Sequence, residues 1–313
     1  MIDDYGGIPI KNEYIPKQSN NNMALNNKKN KKKRLKKKVR NSILNILLIF
    51  FLSITVYGIF VLIDWNKDNI DTSKIIQEIS KDTVVVETED DENTEIIGQP
   101  DESEEDVSEP EILTDYWYYV KFPLIDVDIK SLKSKNADTI GWINVNNTNI
   151  NYPYVQTSNN SYYLNHSYDK SYNDAGWVFM DYRNNSNLDN KNTILYAHSR
   201  LDKTMFGSLS KVFRSEWHTN KDNHIIRLST ESENTLWQIF SVYKIKEESY
   251  YITTDFNNDD EYKEFLNTLS SRSIYNFNTS LTSEDKILTL STCYDDTTRT
   301  VVHAKLIKRS VKE

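Results

Sequence analysis

Twenty-two consecutive residues, Ser42 to Ile63 (SILNILLIFFLSITVYGIFVLI), carry no charge. A helix of that length crosses the hydrocarbon core of a bilayer. No small-x-small cleavage site comes after it; the next residues are Asp64, Trp65, Asn66 and Lys67. The segment therefore reads as an uncleaved anchor rather than a signal peptide. Between Lys28 and Arg40 there are ten Lys or Arg and no acid. By the positive-inside rule, residues 1–41 are a cytoplasmic basic tail, 42–63 lie in the lipid bilayer, and the chain from Asp64 onward is outside. Setting those ten aside leaves 28 basic residues against 46 acidic ones. The basic block is thus a topology signal beside a membrane, and no nucleic-acid partner is expected.

The anchor confines folding in water to the residues beyond Ile63. Residues 64–113 are expected as an acidic, disordered linker, with a short helix or stalk to about Lys81. From Glu87 to Glu111 the acids TEDDENTE and PDESEEDVSEPE leave too few apolar residues to offset the ordering entropy. Residues 114–313 are enough for one well-buried domain. That domain is rich in Tyr, and its aromatic and β-branched runs are separated by Asn, Asp and Ser clusters. Strands are predicted at 139–145, 150–155, 176–182, 193–198, 224–228, 235–243, 286–293 and 299–308. Apolar spacing predicts helices over 125–136 and 259–271. About eight strands with little helix make a mostly-β domain, and closing them into a barrel removes exposed edges.

The chain has one cysteine, Cys293, so no intramolecular disulfide forms. It ends the strand-like run ILTLSTC, where the chain turns toward solvent. A lone cysteine in an exported domain is either a reactive thiol or an inert core residue. Its neighbours favour the first. His198 ends another apolar strand, NTILYAHS, and Arg299 opens the last strand six residues beyond the cysteine, across a five-residue loop. Thiolate, imidazole and guanidinium are the groups that thiol acyl transfer needs. Of the other histidines, His166, His218 and His224 are read as surface or packing residues. His303, inside VVHAKL, is read as a strand residue on one face. No clustered ligand spacing calls for zinc, and no metal or cofactor is expected.

These residues carry a resemblance. TLSTC followed by R-x-V-V-x-A-K-L (Arg299 to Leu306), with the histidine of ILYAHS, resembles the sortases, surface-protein transpeptidases of Gram-positive bacteria. The stretches GWINV, INYPYVQ, YYLNH, GWVFMDYRN, TMFGSL and YYITTDF, in order from Gly141 to Phe256, are similar to class B sortases. The resemblance implies an eight-stranded sortase barrel, an N-terminal helical extension and a helix before the cysteine-bearing strand. It implies Cys293 as nucleophile, His198 as general acid/base and Arg299 on the substrate or the oxyanion. Asn160, Leu164, Tyr251, Ile252 and Ser291 fall at positions lining the sorting-signal groove. Three features depart from the family pattern: Ala197 replaces a frequent glycine, the loop from Tyr294 to Thr298 is short, and Tyr294 replaces an acid. The implied reaction cleaves an LPxTG- or NPxTN-like signal of a surface protein and passes the acyl group to a peptidoglycan amine. A pilin-polymerising enzyme, a thiol peptidase using water and a membrane-anchored scaffold without turnover remain alternatives.

Overall fold

The computed structural model describes residues 21–98, 110–246, 248–293 and 298–312. In chain order the elements are α1 (Asn21–Asp82), β1 (Val85–Thr88), β2 (Thr94–Ile96), α2 (Pro110–Tyr119), β3 (Leu124–Val127), α3 (Ile129–Lys135), β4 (Thr139–Val145), β5 (Asn151–Val155), β6 (Phe179–Met180), β7 (Asn192–His198), α4 (Ser215–Thr219), β8 (Ile225–Thr230), β9 (Glu233–Ile245), α5 (Asp259–Ser271), β10 (Ile287–Cys293) and β11 (Arg299–Val311). The chain forms two units, Met1–Asp64 and Trp65–Glu313. In the first, the apolar run of α1 has every side chain exposed, as expected of a surface made for lipid.

The second unit is a barrel. Its strands close in the order β4, β5, β6, β7, β10, β11, β9, β8, and β8 returns to β4. Pairing is antiparallel except for β5 with β6 and β7 with β10, which are parallel. All eight predicted strands are present. The stretch predicted over 176–182 keeps only Phe179 and Met180 in the ladder. It is entered from Gly176, which adopts a positive φ of 60° that breaks an extended run. The long strand β9 is buried along nearly its whole length on both faces, which removes the usual alternation. Its inner side joins the barrel core with Trp142, Ile143, Leu290 and Val302.

Two helices cover the outside. The predicted helix 259–271 is α5. Tyr262, Leu266 and Leu269 recur at helical spacing and pack on Phe240, Ile287 and Val301. Asn258 caps it, accepting from the Glu261 N–H at 2.9 Å, and the acids Asp259, Asp260 and Glu261 sit at the positive end of its dipole. Helix α2 lays Tyr116 and Tyr119 on Ile225, Leu236 and Ile307.

Two expectations are corrected. The helix predicted over 125–136 begins only at Ile129. Asp128 accepts the Ser131 N–H at 2.9 Å as an N-cap, and Leu124–Val127 instead pairs with β1. Beyond the stretch to about Lys81 read as a short helix or stalk, the linker expected to be disordered is built into the fold as far as residue 98; its residues 99–109 lie outside the described ones. After Asp64, α1 continues to Asp82 and buries Thr72 and Ile79 on one face. Strand β2 extends the sheet at the far end of β11. The acids that argued for disorder meet barrel cations: Asp90 lies 2.7 Å from the buried Lys308 and Glu87 lies 3.9 Å from Arg227. A buried ammonium needs such a partner, and composition alone does not reveal where it is.

Candidate active site

The three predicted reactive residues meet on one rung of the barrel. Strand β10 lies between β7 and β11. Its parallel register with β7 runs from Ile287 opposite Asn192 to Cys293 opposite His198. Its antiparallel register with β11 reaches Ser291 opposite Val301. Extending that register by two residues sets Arg299 opposite Cys293. Neighbouring strands lie about 5 Å apart, so backbone pairing alone brings together residues 95 and 101 positions distant in sequence.

Side-chain contacts hold the two flanking groups. His198 Nε2 lies 2.7 Å from the Leu164 carbonyl. A carbonyl only accepts, so Nε2 carries the proton and the ring is oriented by this bond. The carbonyl is itself held by the turn Tyr162–Leu164, where Trp177 N–H donates to the Tyr163 carbonyl at 2.9 Å. Gly176 allows this close approach. A Cβ there would stand 2.5 Å from the Tyr163 oxygen, 2.8 Å from the Leu164 oxygen and 3.1 Å from His198 Cδ2. On the other flank, Arg299 Nη1 donates to the Thr292 carbonyl at 3.3 Å, and the Thr300 N–H donates to Thr292 Oγ1 at 2.9 Å. Thr292 thereby fastens the start of β11 to the end of β10.

A groove of about 460 Å³ leads to this rung. Of the residues predicted to line it, Asn160, Leu164, Tyr251 and Ile252 do so, and Arg299 closes it. Ser291 does not. It is fully buried and lies behind the wall, with its Oγ 3.0 Å from Tyr251 Oη. Sequence reasoning missed Phe179, Tyr196, Glu248 and Ser249, which also line the groove. Tyr196 stands two residues before His198 on β7, so strand alternation could have found it. Phe179 follows from it, because β6 places it opposite Tyr196 with ring centroids 5.3 Å apart.

Beneath the groove lies a buried ionic group. Asp181 is fully buried and receives Arg183 Nη2 at 2.7 Å, Tyr196 Oη at 2.9 Å and Asn160 Nδ2 at 3.0 Å. Burial pushes its carboxyl pKa up, but hydrogen bonds from Arg183 and Tyr196 and the Arg183 charge outweigh this and hold it below the usual range. The Tyr196 phenol is raised, by burial first and then by the Asp181 charge.

His303 is, as expected, a strand residue away from the rung. Among the described residues it belongs to a buried chain of hydroxyls. Asn192 Oδ1 accepts from Thr289 Oγ1 at 2.7 Å, Thr289 Oγ1 lies 2.9 Å from His303 Nδ1, and His303 Nε2 lies 2.8 Å from Tyr243 Oη. Asn192 Oδ1 cannot donate, so Thr289 gives it its proton and accepts from Nδ1–H. Nε2 then accepts from Tyr243. The chain is satisfied only with a neutral imidazole, and burial lowers its pKa to about 3. No three or more His, Cys, Asp or Glu side chains gather as metal ligands among the described residues.

A family model for the sortase domain matches residues 143–307. Sortase B of Staphylococcus aureus is 39% identical over 185 residues, covering 58% of this chain and 75% of that protein. A crystal structure of a Bacillus anthracis protein similar to sortase B superposes with a TM-score of 0.55 at 40% identity, covering 62% of this chain and 93% of that one. A Staphylococcus aureus sortase B–substrate complex does so with a TM-score of 0.55 at 38% identity, covering 57% and 84%. The matched span takes in more than half of the chain and carries the rung, the groove and α5 together. The chain therefore belongs to the sortase family, in its class B, and is a sortase transpeptidase.

Proposed function

We propose that this enzyme cleaves an LPxTG- or NPxTN-like sorting signal at its threonine and transfers the acyl group, through a Cys293 thioester, to a peptidoglycan amine. The observation that carries the reading is the rung itself: Cys293 lies opposite His198, and Arg299 beside them lines a groove of about 460 Å³. The Cys293 thiolate attacks the threonine carbonyl. Arg299, at the groove's end, stabilises the tetrahedral oxyanion with a fixed donor fork. Protonated His198 gives a proton to the leaving amine as the C–N bond breaks. With Nε2–H turned to Leu164, Nδ1 is the nitrogen that exchanges this proton. The acceptor amine then attacks the thioester, loses a proton to His198 and expels the thiolate. Thiolate and imidazolium must coexist, so turnover has a bell-shaped pH dependence.

The substrates are proteins that carry a sorting signal. The uncharged segment 42–63 anchors the enzyme in the bilayer as a single pass. The basic block from Lys28 to Arg40 keeps the N-terminus in the cytoplasm, so the barrel acts outside the cell.

Intact-protein mass spectrometry of the full chain in detergent tests the reaction, using LPxTG- and NPxTN-type peptides. The expected result is an acyl adduct on wild-type enzyme with one peptide class and none on Cys293→Ala. Adding an oligoglycine or diaminopimelate amine should convert the adduct to an amide product. Release of free acid alone, whatever the amine, identifies a peptidase instead. No adduct with any peptide from a folded protein with a titratable thiol overturns the proposal.

A further inference from the structure

We infer that Asp181 and Arg183 form a clamp that fixes the spacing of the groove's two walls, making both of them positioning residues for peptide binding. This rests on the proposed function, in which the groove takes a sorting signal. Neither residue lines the groove, yet each reaches residues that do. The Asp181 carboxylate Oδ2 accepts from Asn160 Nδ2 on one wall and from Tyr196 Oη on the floor. Both of its oxygens are bound by Arg183, through Nε at 2.9 Å and Nη2 at 2.7 Å, and its Oδ1 also accepts the Arg183 backbone N–H at 2.9 Å. Arg183 Nη2 then donates to the Ile252 carbonyl on the opposite wall at 2.9 Å. Asn160 is held at its other end as well, where its Oδ1 accepts the Tyr182 N–H at 2.9 Å.

The chemistry of the pair explains why a charge is buried here. A fully buried carboxylate is costly unless all its lone pairs are used, and five donors meet this one. A bidentate guanidinium has a fixed planar geometry, so its Nη2 can serve as a spacer of set length to Ile252. The Ile252 wall lies in the short turn Tyr250–Ile252. It is also held by Asn192 Nδ2, which donates to the Tyr251 and Thr253 carbonyls at 3.2 and 2.9 Å, by the Tyr251 Oη contact to Ser291, and by Tyr250 Oη, which donates to Tyr243 Oη at 3.0 Å. Arg183 supplies the tie that connects this turn to Asn160. Loosening it would let the walls part and weaken ground-state and transition-state binding alike, while the Cys293–His198–Arg299 rung keeps its strand register.

The test compares Arg183→Gln and Asp181→Asn with wild type. Arg183 is partly exposed, so its variant should fold even if Asp181→Asn does not. For Arg183→Gln, KM for the sorting-signal peptide should rise about tenfold, the loss expected for one charge-assisted hydrogen bond, with kcat within about threefold. The alkylation rate of Cys293 by iodoacetamide should stay within about twofold of wild type. Amide hydrogen exchange over residues 249–254 should accelerate about tenfold. An unchanged KM, or a parallel fall in kcat and alkylation rate, overturns the clamp. If wild-type enzyme turns over no sorting-signal peptide, the substrate reading fails on its own. The clamp is then decided by exchange alone: unaltered protection of 249–254 in Arg183→Gln overturns it, and faster exchange supports it.

Discussion

The rung and the groove are a few residues apart but are built in different ways. The rung is set by backbone register: three adjacent strands bring Cys293, His198 and Arg299 level. The groove is set by buried side chains, with Asp181, Asn192 and Ser291 each holding a wall residue from behind. A substitution on the rung should therefore remove chemistry and spare binding, and one in the support should do the reverse. Interiors are close-packed and transmit strain, so a residue touching both regions should affect both.

The largest effects break the rung. Cys293→Ala should abolish turnover, because no other thiol exists in the chain. His198→Ala and Arg299→Ala should each lower kcat by roughly 10²–10³, the range for one oxyanion donor or general acid. In Cys293→Ala and His198→Ala, peptide affinity measured by fluorescence anisotropy should stay within about threefold of wild type; Arg299 also lines the groove, so its variant should weaken affinity as well. Near-normal kcat in any variant removes that residue from the mechanism.

The next effect acts on the support and is read by pH. His303 is neutral when folded, with its pKa lowered to about 3, and burial also lowers His224 to about 4. Both groups have an ordinary value of 6.5 when unfolded. Below pH 6.5 the unfolded chain takes up protons that the folded chain refuses. Stability is therefore complete above 6.5 and falls as pH drops toward 4. The slope approaches about 1.4 kcal/mol per pH unit for each histidine. Urea denaturation at pH 8 and pH 5 checks this, and the slope should lessen in His303→Gln. A flat profile between those values would show that neither imidazole is kept neutral by the fold.

The contrast also explains what the sequence revealed. The rung was legible because each of its residues ends or begins an apolar strand next to polar residues, and strand ends are local signals. Helix 259–271 was legible for the same reason, with its acids first and its apolar stripe at helical spacing. The support was not. Asp181 reaches Arg183 locally but serves Asn160 and Tyr196 from 21 and 15 residues away, and Arg183 reaches Ile252 across 69. Ser291 shows the same limit, since the family resemblance identified its neighbourhood but not the side of the wall on which it lies. The described acids of residues 87–95 misled for a related reason. Their charge pattern reads as disorder unless Lys308 and Arg227 are known to wait for them.

Gly176→Ala sharpens the comparison because the new methyl touches both regions. It would press on the Tyr163 and Leu164 carbonyls and approach His198, at a backbone φ of 60° that disfavours alanine. Stability should drop by about 2 kcal/mol or more. Both kcat and KM should worsen, since Leu164 orients His198 and also lines the groove. A loss in stability with unchanged kinetics would show that the turn absorbs the methyl without moving the carbonyl.

The smallest effect isolates the groove. Ser291→Ala removes one hydroxyl that lies 3.0 Å from Tyr251 Oη and otherwise leaves the strand intact. Tyr251 is almost fully buried, so its hydroxyl would lose a partner that water cannot readily replace. The cost should be about 1 kcal/mol in stability. A slightly displaced Tyr251 should raise KM about threefold and leave kcat unchanged. Ser291 stands two residues before Cys293 on β10, close enough in the chain to affect the nucleophile directly. Cys293 alkylation separates the two routes. An unchanged alkylation rate with a raised KM assigns Ser291 to the wall. A slower rate with KM unchanged would move it to the rung, and the division between the two regions would then fail at the strand they share.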